Sequence, residues 1–188
     1  MVKEKKFAIA LSSAFLLAAA PPSGFSFERG PVSRRTYPVH AESFATALRQ
    51  CREKGPRLGN MRYPGQTTYS FRYRYAFRGE TSELSELSIK WDQSTFLPRL
   101  DESRLSPGDR RAWHRWLGNL EKHEEKHLEI SSDPGIERDF KRLFLRCRAS
   151  SNKKKIEEEI IKGVGDIKKG IDRANSEWDR RTDHGLKP

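Results

Sequence analysis

Five consecutive residues near the middle of the chain carry the most specific chemical signal of the sequence. They read His123-Glu124-Glu125-Lys126-His127 and fit the pattern H-E-x-x-H. On a helix, His123 and His127 lie one turn apart on the same face, so both imidazoles can reach one zinc ion. Glu124 lies beside them, where it can act as general base toward a zinc-activated water. The motif predicts a zinc site with Glu124 as the catalytic residue.

The residues around the motif indicate which way this helix faces. Its apolar stripe includes both histidines, with Glu124 at the margin, whereas a second stripe is charged. An apolar setting strengthens the electrostatic interactions of a metal site. The alternative is a pair of surface histidines on a helix rich in salt bridges. The apolar stripe is Trp113, Trp116, Leu117, Leu120, His123 and His127, and the charged stripe is Lys122, Glu125, Lys126 and Glu129.

A catalytic zinc site needs a third protein ligand, and the residues leave three candidates. Asp133 lies six residues after the second histidine, Glu157 to Glu159 open the last helix, and His184 follows the end of that helix. A long helix packed antiparallel on the motif helix would bring its far end, and with it His184, to the site. His40 and His114 are weaker candidates, because His114 lies one step off the apolar stripe and His40 lies at a strand-to-helix junction.

The elements that must position the motif follow from residue periodicity. The helical spacing of Phe44, Ala47, Leu48 and Cys51 predicts a helix that stops at Gly55. Strict alternation predicts two strands joined by a short connection, hence an antiparallel pair. Ser106 as N-cap and Pro107 at the first helical position predict the start of the motif helix. A final long helix has its apolar residues three or four apart. The expected fold is α+β: a small antiparallel sheet packed against helices, with a zincin-like H-E-x-x-H helix and a long C-terminal helix. The strands centre on Tyr69, Phe71, Tyr73, Tyr75 and Phe77, and on Leu87, Ile89 and Trp91.

The N-terminus has the layout of a secretory signal peptide. Three early lysines precede an apolar run, Phe7 to Ala20, that is too short to span a membrane. Gly24 and Ser26 allow cleavage before Phe27. We therefore predict a signal peptide over residues 1–26, a flexible lead over 27–34 and a single metallohydrolase-like domain over 35–188. The mature protein is expected to be exported, to the periplasm or the medium, without a transmembrane segment.

Charge and cysteine content narrow the function further. The net charge of +11 comes from basic residues that are mixed with acids along the whole chain, and no nucleic-acid-binding motif is present. A soluble basic surface is therefore expected, with no nucleic-acid partner. In an exported chain, Cys51 and Cys147 are expected to form a disulfide; two buried thiols are the alternative.

Several segments together resemble a bacterial family of unassigned function, generally described as predicted secreted zinc-dependent proteases. They are "YPV" from Tyr37, the aromatic strand pair ending in "FLP", the tryptophans leading into "HEEKH", and the terminal "WDRRTDHG". The resemblance covers Arg35 to Gly185. It implies His123 and His127 as zinc ligands, Glu124 as base and His184 as the third ligand. One departure is Trp178, which stands where the family often has tyrosine, so a hydroxyl is missing there.

These observations predict an exported zinc-dependent metallohydrolase, a peptidase acting on a peptide or protein substrate in the cell envelope. Asp179 and Asp183 are expected to orient an imidazole of the site. Arg72 and Arg74 are expected to lie on a solvated sheet face and are left out of the site. The rival hypothesis is a non-enzymatic envelope protein that binds a polymer or a partner protein through its aromatic sheet face and basic surface, with a structural zinc or none.

Overall fold

The computed structural model of the chain describes residues 24–79 and 82–182. Most of the predicted signal peptide, together with His184 and Asp183, lies outside the described residues. The elements in chain order are β1 (Gly24–Arg29), β2 (Ser33–His40), α1 (Phe44–Lys54), β3 (Arg57–Leu58), β4 (Met61–Arg62), β5 (Gln66–Phe77), β6 (Leu84–Asp101), a 3-10 turn (Glu102–Arg104), α2 (Pro107–Ser131), α3 (Pro134–Arg148) and α4 (Lys153–Thr182).

The sheet is built around β6, the longest strand. β5 pairs antiparallel along one edge of β6, as the alternation and the short connection predict. β1 and β2 follow one another along the other edge, and both run parallel to β6. The α+β class is therefore confirmed, but the main sheet is mixed, whereas an antiparallel sheet was expected. The two short strands β3 and β4 form a separate antiparallel hairpin.

The prediction that residues 27–34 form a flexible lead is wrong for most of this segment. Phe27 belongs to β1, and Arg34 to β2, so this segment supplies the missing edge of the sheet. The physical reason is that β6 would otherwise leave the backbone groups of that edge unpaired. Phe27 also packs against the core. At the junction between the two strands, a Cβ on Gly30 would lie 2.8 Å from Oδ1 of Asp92, so a larger residue there would require the Asp92 side chain to shift.

The sequence predicts no transmembrane segment in the mature chain. No helix within residues 24–79 and 82–182 is long and apolar enough to cross a membrane. A cut before Phe27 would divide β1, which begins at Gly24.

One face of the sheet carries the predicted aromatic row of β5, and this face packs against helices. The row lies against a buried cluster that is formed mainly by β6, α3 and α4. Tyr69 and Phe71 stack on the buried indole of Trp91, with ring centroids 5.2 and 5.3 Å apart. The aromatic side chains of β5 are therefore half-buried against the core and partly exposed. On the other face, Arg72 and Arg74 pair with Asp92 and Glu86.

A second buried cluster joins β2 and α1 to the beginning of α2. Cys51 belongs to this cluster, whereas Cys147 belongs to the first, and both are free thiols. The predicted disulfide is therefore wrong: the two residues are buried in different parts of the core, and a disulfide requires Cα atoms within about 7 Å.

Candidate metal centre

Helix α2 presents the H-E-x-x-H motif to the interior. It begins where the sequence predicts, with the Ser106 hydroxyl accepting a hydrogen bond from the Asp109 amide and with Pro107 in the first turn. His123, Glu124 and His127 are all buried, with 5%, 4% and 9% of their surface exposed. The apolar stripe therefore continues through the motif, and the alternative of two surface histidines is wrong.

The opposite side of the site comes from the last turns of α4. Asn175, Asp179 and Thr182 are spaced three or four residues apart, so they share one face of this helix. Each of the three contacts a histidine of α2. The two helices thus meet through polar side chains at this point.

The hydrogen bonds fix which ring nitrogen of each histidine carries the proton. Thr182 Oγ1 uses its single hydrogen to donate to the Trp178 carbonyl, 2.9 Å away, so it accepts a hydrogen bond from Nδ1–H of His123 at 3.1 Å. Nδ1–H of His127 donates to the Asn175 side-chain oxygen at 2.8 Å. In the neutral rings, both Nε2 atoms are therefore left with a free lone pair.

Both Nε2 atoms face the same point, and a carboxylate oxygen joins them. Oδ1 of Asp179 lies 3.1 Å from Nε2 of His123 and 2.9 Å from Nε2 of His127, and the two Nε2 atoms are 3.1 Å apart. Three electron-pair donors so close together repel one another unless a cation lies between them.

A divalent cation fits this arrangement. Imidazole nitrogens and a carboxylate oxygen are the donor set that zinc prefers, at distances of about 2.0–2.2 Å. Ligand atoms of one tetrahedral zinc at such distances are about 3.3 Å apart, close to the separations between these atoms. The two imidazoles are also held from behind by Thr182 and Asn175, as ligand imidazoles usually are.

The pKa of His127 also indicates that positive charge is stabilised at this site. Burial lowers its pKa, but the hydrogen bonds to Asp179 and Asn175 and the charges of Asp179 and Glu124 outweigh burial, so the net pKa is raised. A positively charged species between these groups is therefore favoured.

Glu124 lies next to the ligand cluster with an unsatisfied oxygen. Burial raises the pKa of its carboxyl group, against smaller lowering contributions from Thr67 and the two histidines. Its Oε2 is buried and has no hydrogen-bond partner. Buried carboxylate oxygens without partners are rare, and they are found where a ligand or a reacting group completes the site.

The loop before β5 forms the wall that faces Glu124. A Cβ atom on Gly65 would lie 2.8 Å from Oε1 of Glu124, so only glycine leaves the carboxylate where it is. The Thr67 hydroxyl donates to the Glu124 carbonyl at 3.1 Å, and the Tyr37 hydroxyl donates to the Pro64 carbonyl at 2.7 Å. The first bond ties the beginning of β5 to helix α2, and the second ties the loop to strand β2.

The predicted site residues have different outcomes. His123, Glu124 and His127 lie together, as the motif requires. Asp179 was expected to orient an imidazole, but it lies on the ligand side; Asn175 and Thr182 occupy the orienting positions. The reason is helical spacing, which directs Asp179 at both Nε2 atoms. Of the other third-ligand candidates, His184 lies outside the described residues, and Asp133 caps α3. Glu157 to Glu159 lie about 30 Å from Asp179 along α4, at 1.5 Å per residue. His40 and His114 are exposed.

Sequence reasoning missed four residues that shape the site. Asn175 and Thr182 bind the histidines, Gly65 makes room for Glu124, and Thr67 ties the beginning of β5 to α2. The position of Asn175 could have been predicted from the sequence, because Asn175 follows the apolar Ile171 by one helical turn and so lies on the same face of α4. The apolar stripe of α4 becomes polar there, just as the stripe of α2 becomes polar at His123.

Trp178 covers the site from one side. Its ring lies almost parallel to the imidazole of His123, with centroids 5.8 Å apart and planes inclined by 23°. The indole therefore restricts the orientation of His123. Its Nε1 atom is buried without a partner.

The fold and this site define a class: a small α+β domain in which an H-E-x-x-H helix and an aspartate of a second helix converge on one point. Residues 34–185 match the family described as "Bacterial protein of unknown function (DUF922)", and the chain belongs to this family. Comparisons with curated proteins and with solved structures found no match.

Proposed function

We propose that the protein is an exported zinc-dependent metallohydrolase, and specifically a peptidase. The observation that carries the proposal is the convergence of Nε2 of His123, Nε2 of His127 and Oδ1 of Asp179 beside a buried carboxylate oxygen of Glu124 that has no partner. These three atoms lie within 4.8 Å of one another. His123, His127 and Asp179 would hold the ion. When bound, zinc supplies Lewis acidity for carbonyl hydrolysis.

The chain's own residues provide the remaining chemistry. Oε2 of Glu124 accepts a proton from the attacking water and passes it to the leaving amine. Its burial and raised pKa favour this double role, because a base that must also release its proton works best when its pKa is near the working pH. Thr182 and Asn175 keep the imidazoles in the tautomer that exposes Nε2, and Trp178 restricts His123. The open cleft beside these groups, about 350 Å³ in volume, gives a substrate access.

The experiment measures zinc content and hydrolysis in matched variants. The wild type and His114→Ala are expected to bind about one zinc per chain, because His114 lies on the same helix but pairs with Glu102 at the surface. His123→Ala and Asp179→Asn are expected to lose most of the zinc. Glu124→Gln is expected to keep zinc and lose hydrolysis of a peptide library by about a hundredfold or more. A zinc-free wild type, or equal zinc in His123→Ala and His114→Ala, contradicts the proposal.

A second candidate function is a non-enzymatic envelope protein with a structural zinc. One observation favours it: Asp179 already offers the third ligand, so the predicted ligand His184 would be a fourth, and four protein ligands characterise structural sites. Under this alternative, Asp179→Asn and His184→Ala each weaken zinc binding, and the loaded wild type hydrolyses no peptide. Under the peptidase proposal, only one of these two residues is required for zinc.

A further inference from the structure

The cleft beside the metal-ligand cluster has two chemically different sides. The α4 side is polar and contains Lys168, Asp172, Asn175, Ser176 and Asp179. The opposite side contains Gln66, Thr67, Thr68 and Tyr69 of β5 and an apolar group, Leu58, Tyr63, Pro64 and Leu120. We propose that these last four residues form an apolar subsite that accepts a large apolar side chain of the substrate residue next to the scissile bond. This inference rests on the proposed peptidase function and specifies its substrate class.

The location of the subsite follows from its contact with Glu124. Leu120 precedes Glu124 by one helical turn, and it is buried with 4% of its surface exposed. A Cβ atom on Gly65 would lie 3.0 Å from Cδ1 of Leu120 and 2.8 Å from Oε1 of Glu124, so the leucine and the base lie against the same backbone position. A side chain in the subsite therefore belongs to a residue whose own peptide bond lies at Glu124.

Leu58 is the solvent-exposed member of the subsite. It lies in β3, at one end of the turn of the β3–β4 hairpin, and 56% of its surface is exposed. The hairpin is fixed at its base, since the Arg62 guanidinium donates to the Gly55 carbonyl at 2.8 Å and the Tyr63 amide donates to the Pro56 carbonyl at 3.0 Å. Leu58 is therefore held at the cleft by a well-bonded turn, and covering it would remove apolar surface from water.

Met61 provides a matched control on the same hairpin. It pairs directly with Leu58 across the turn and is exposed to a similar degree, 61%, but it does not line the cleft. An exposed apolar residue at a hairpin turn is common on protein surfaces. The comparison of Leu58 with Met61 therefore separates a role in the cleft from the general effect of an apolar turn.

The test uses zinc-loaded protein and a peptide series that varies at one position among Ala, Leu, Phe and Asp. Hydrolysis is measured with wild type, and binding of uncleaved peptide is measured with Glu124→Gln. We expect a preference of about tenfold or more for Leu or Phe over Ala in kcat/KM and in affinity. Leu58→Ser should reduce this preference about fivefold in both measurements, whereas Met61→Ser should leave it unchanged.

The outcomes separate this inference from the proposed function. Selective binding that depends on Leu58, without hydrolysis by wild type, supports the subsite and contradicts the peptidase proposal. Hydrolysis without an apolar preference, or equal effects of Leu58→Ser and Met61→Ser, overturns the subsite and leaves the peptidase proposal intact. Absence of both binding and hydrolysis overturns both.

Discussion

Replacing Gly65 by alanine should displace the base without removing the metal site. The added Cβ would lie 2.8 Å from Oε1 and 3.2 Å from Cγ of Glu124, and 3.0 Å from Cδ1 of Leu120. Contacts between such atoms are ordinarily about 3.5–4.0 Å, so the carboxylate oxygen must move by about 0.7 Å or more. Because the closest atom is the end of a flexible side chain, the carboxylate can move at little cost in folding free energy.

The expected consequence is a selective loss of catalysis. A misplacement of about 1 Å can cost about a hundredfold in rate, so we expect kcat of Gly65→Ala to fall by about ten- to a hundredfold. Zinc content should stay at the wild-type value, since no ligand atom of His123, His127 or Asp179 lies among the three nearest contacts of the added Cβ. Steady-state kinetics on zinc-loaded protein and metal analysis of the same samples measure both quantities.

Gly118→Ala is the matched control, because Gly118 lies on α2 itself and its Cβ would meet nothing within 4 Å. This variant should keep full activity and gain up to about 1 kcal/mol of stability from its higher helix propensity. Wild-type kcat in Gly65→Ala would refute the reasoning that the Gly65 backbone positions Glu124. Loss of zinc in Gly65→Ala would also refute it, because the effect would then reach the ligands.

Two further predictions concern the core. Gly163→Ala should destabilise the fold by about 1–3 kcal/mol, because its Cβ would lie 2.5 Å from Cδ1 of the buried Leu143. In the control variant Gly165→Ala, the added Cβ meets nothing within 4 Å, so this variant should stabilise α4 by about 1 kcal/mol. Denaturant unfolding of both variants measures the difference, and equal stability would contradict the packing argument. Cys51 and Cys147 should react with a thiol reagent only after denaturation, when two thiols per chain should be counted without reductant; a mass lower by two hydrogens in the untreated protein would indicate a disulfide instead.

The sequence allowed the elements that carry the site to be predicted, because each has a strong local signal. Ser106 and Pro107 define the start of α2, and the alternation of β5 specifies both a strand and its buried face. The free thiol of Cys51 was not predictable, because the spatial separation of two buried cysteines depends on the packing of several elements. β1 was missed because only Phe25 and Phe27 alternate with polar residues there, and so short a pattern next to a predicted cleavage site does not identify a strand without its long-range pairing with β6.

The residues of the candidate site also differ in whether the sequence allowed them to be predicted. His123, Glu124 and His127 were predictable, since one helical turn brings them together whatever the rest of the fold does. The role of Asp179 as a ligand was not predictable, because that role depends on how far α4 extends and on which face of α4 packs against α2. Gly65 left no signal either: its importance comes from the close approach of a loop backbone to a carboxylate 59 positions later in the sequence.

The distribution of contacts along α4 has a consequence for local stability. This helix of 30 residues is held by buried apolar side chains from Ile156 to Ile171. Beyond that point its described contacts with α2 are the hydrogen bonds of Asn175, Asp179 and Thr182 and the stacking of Trp178 on His123. The last two turns should therefore open and close independently of the rest of the helix. A cation bound between the two helices would shift this local equilibrium, by about 2.7 kcal/mol at a hundred times its dissociation constant. Amide hydrogen exchange at residues 175–182 would then report cation binding even where no substrate is known.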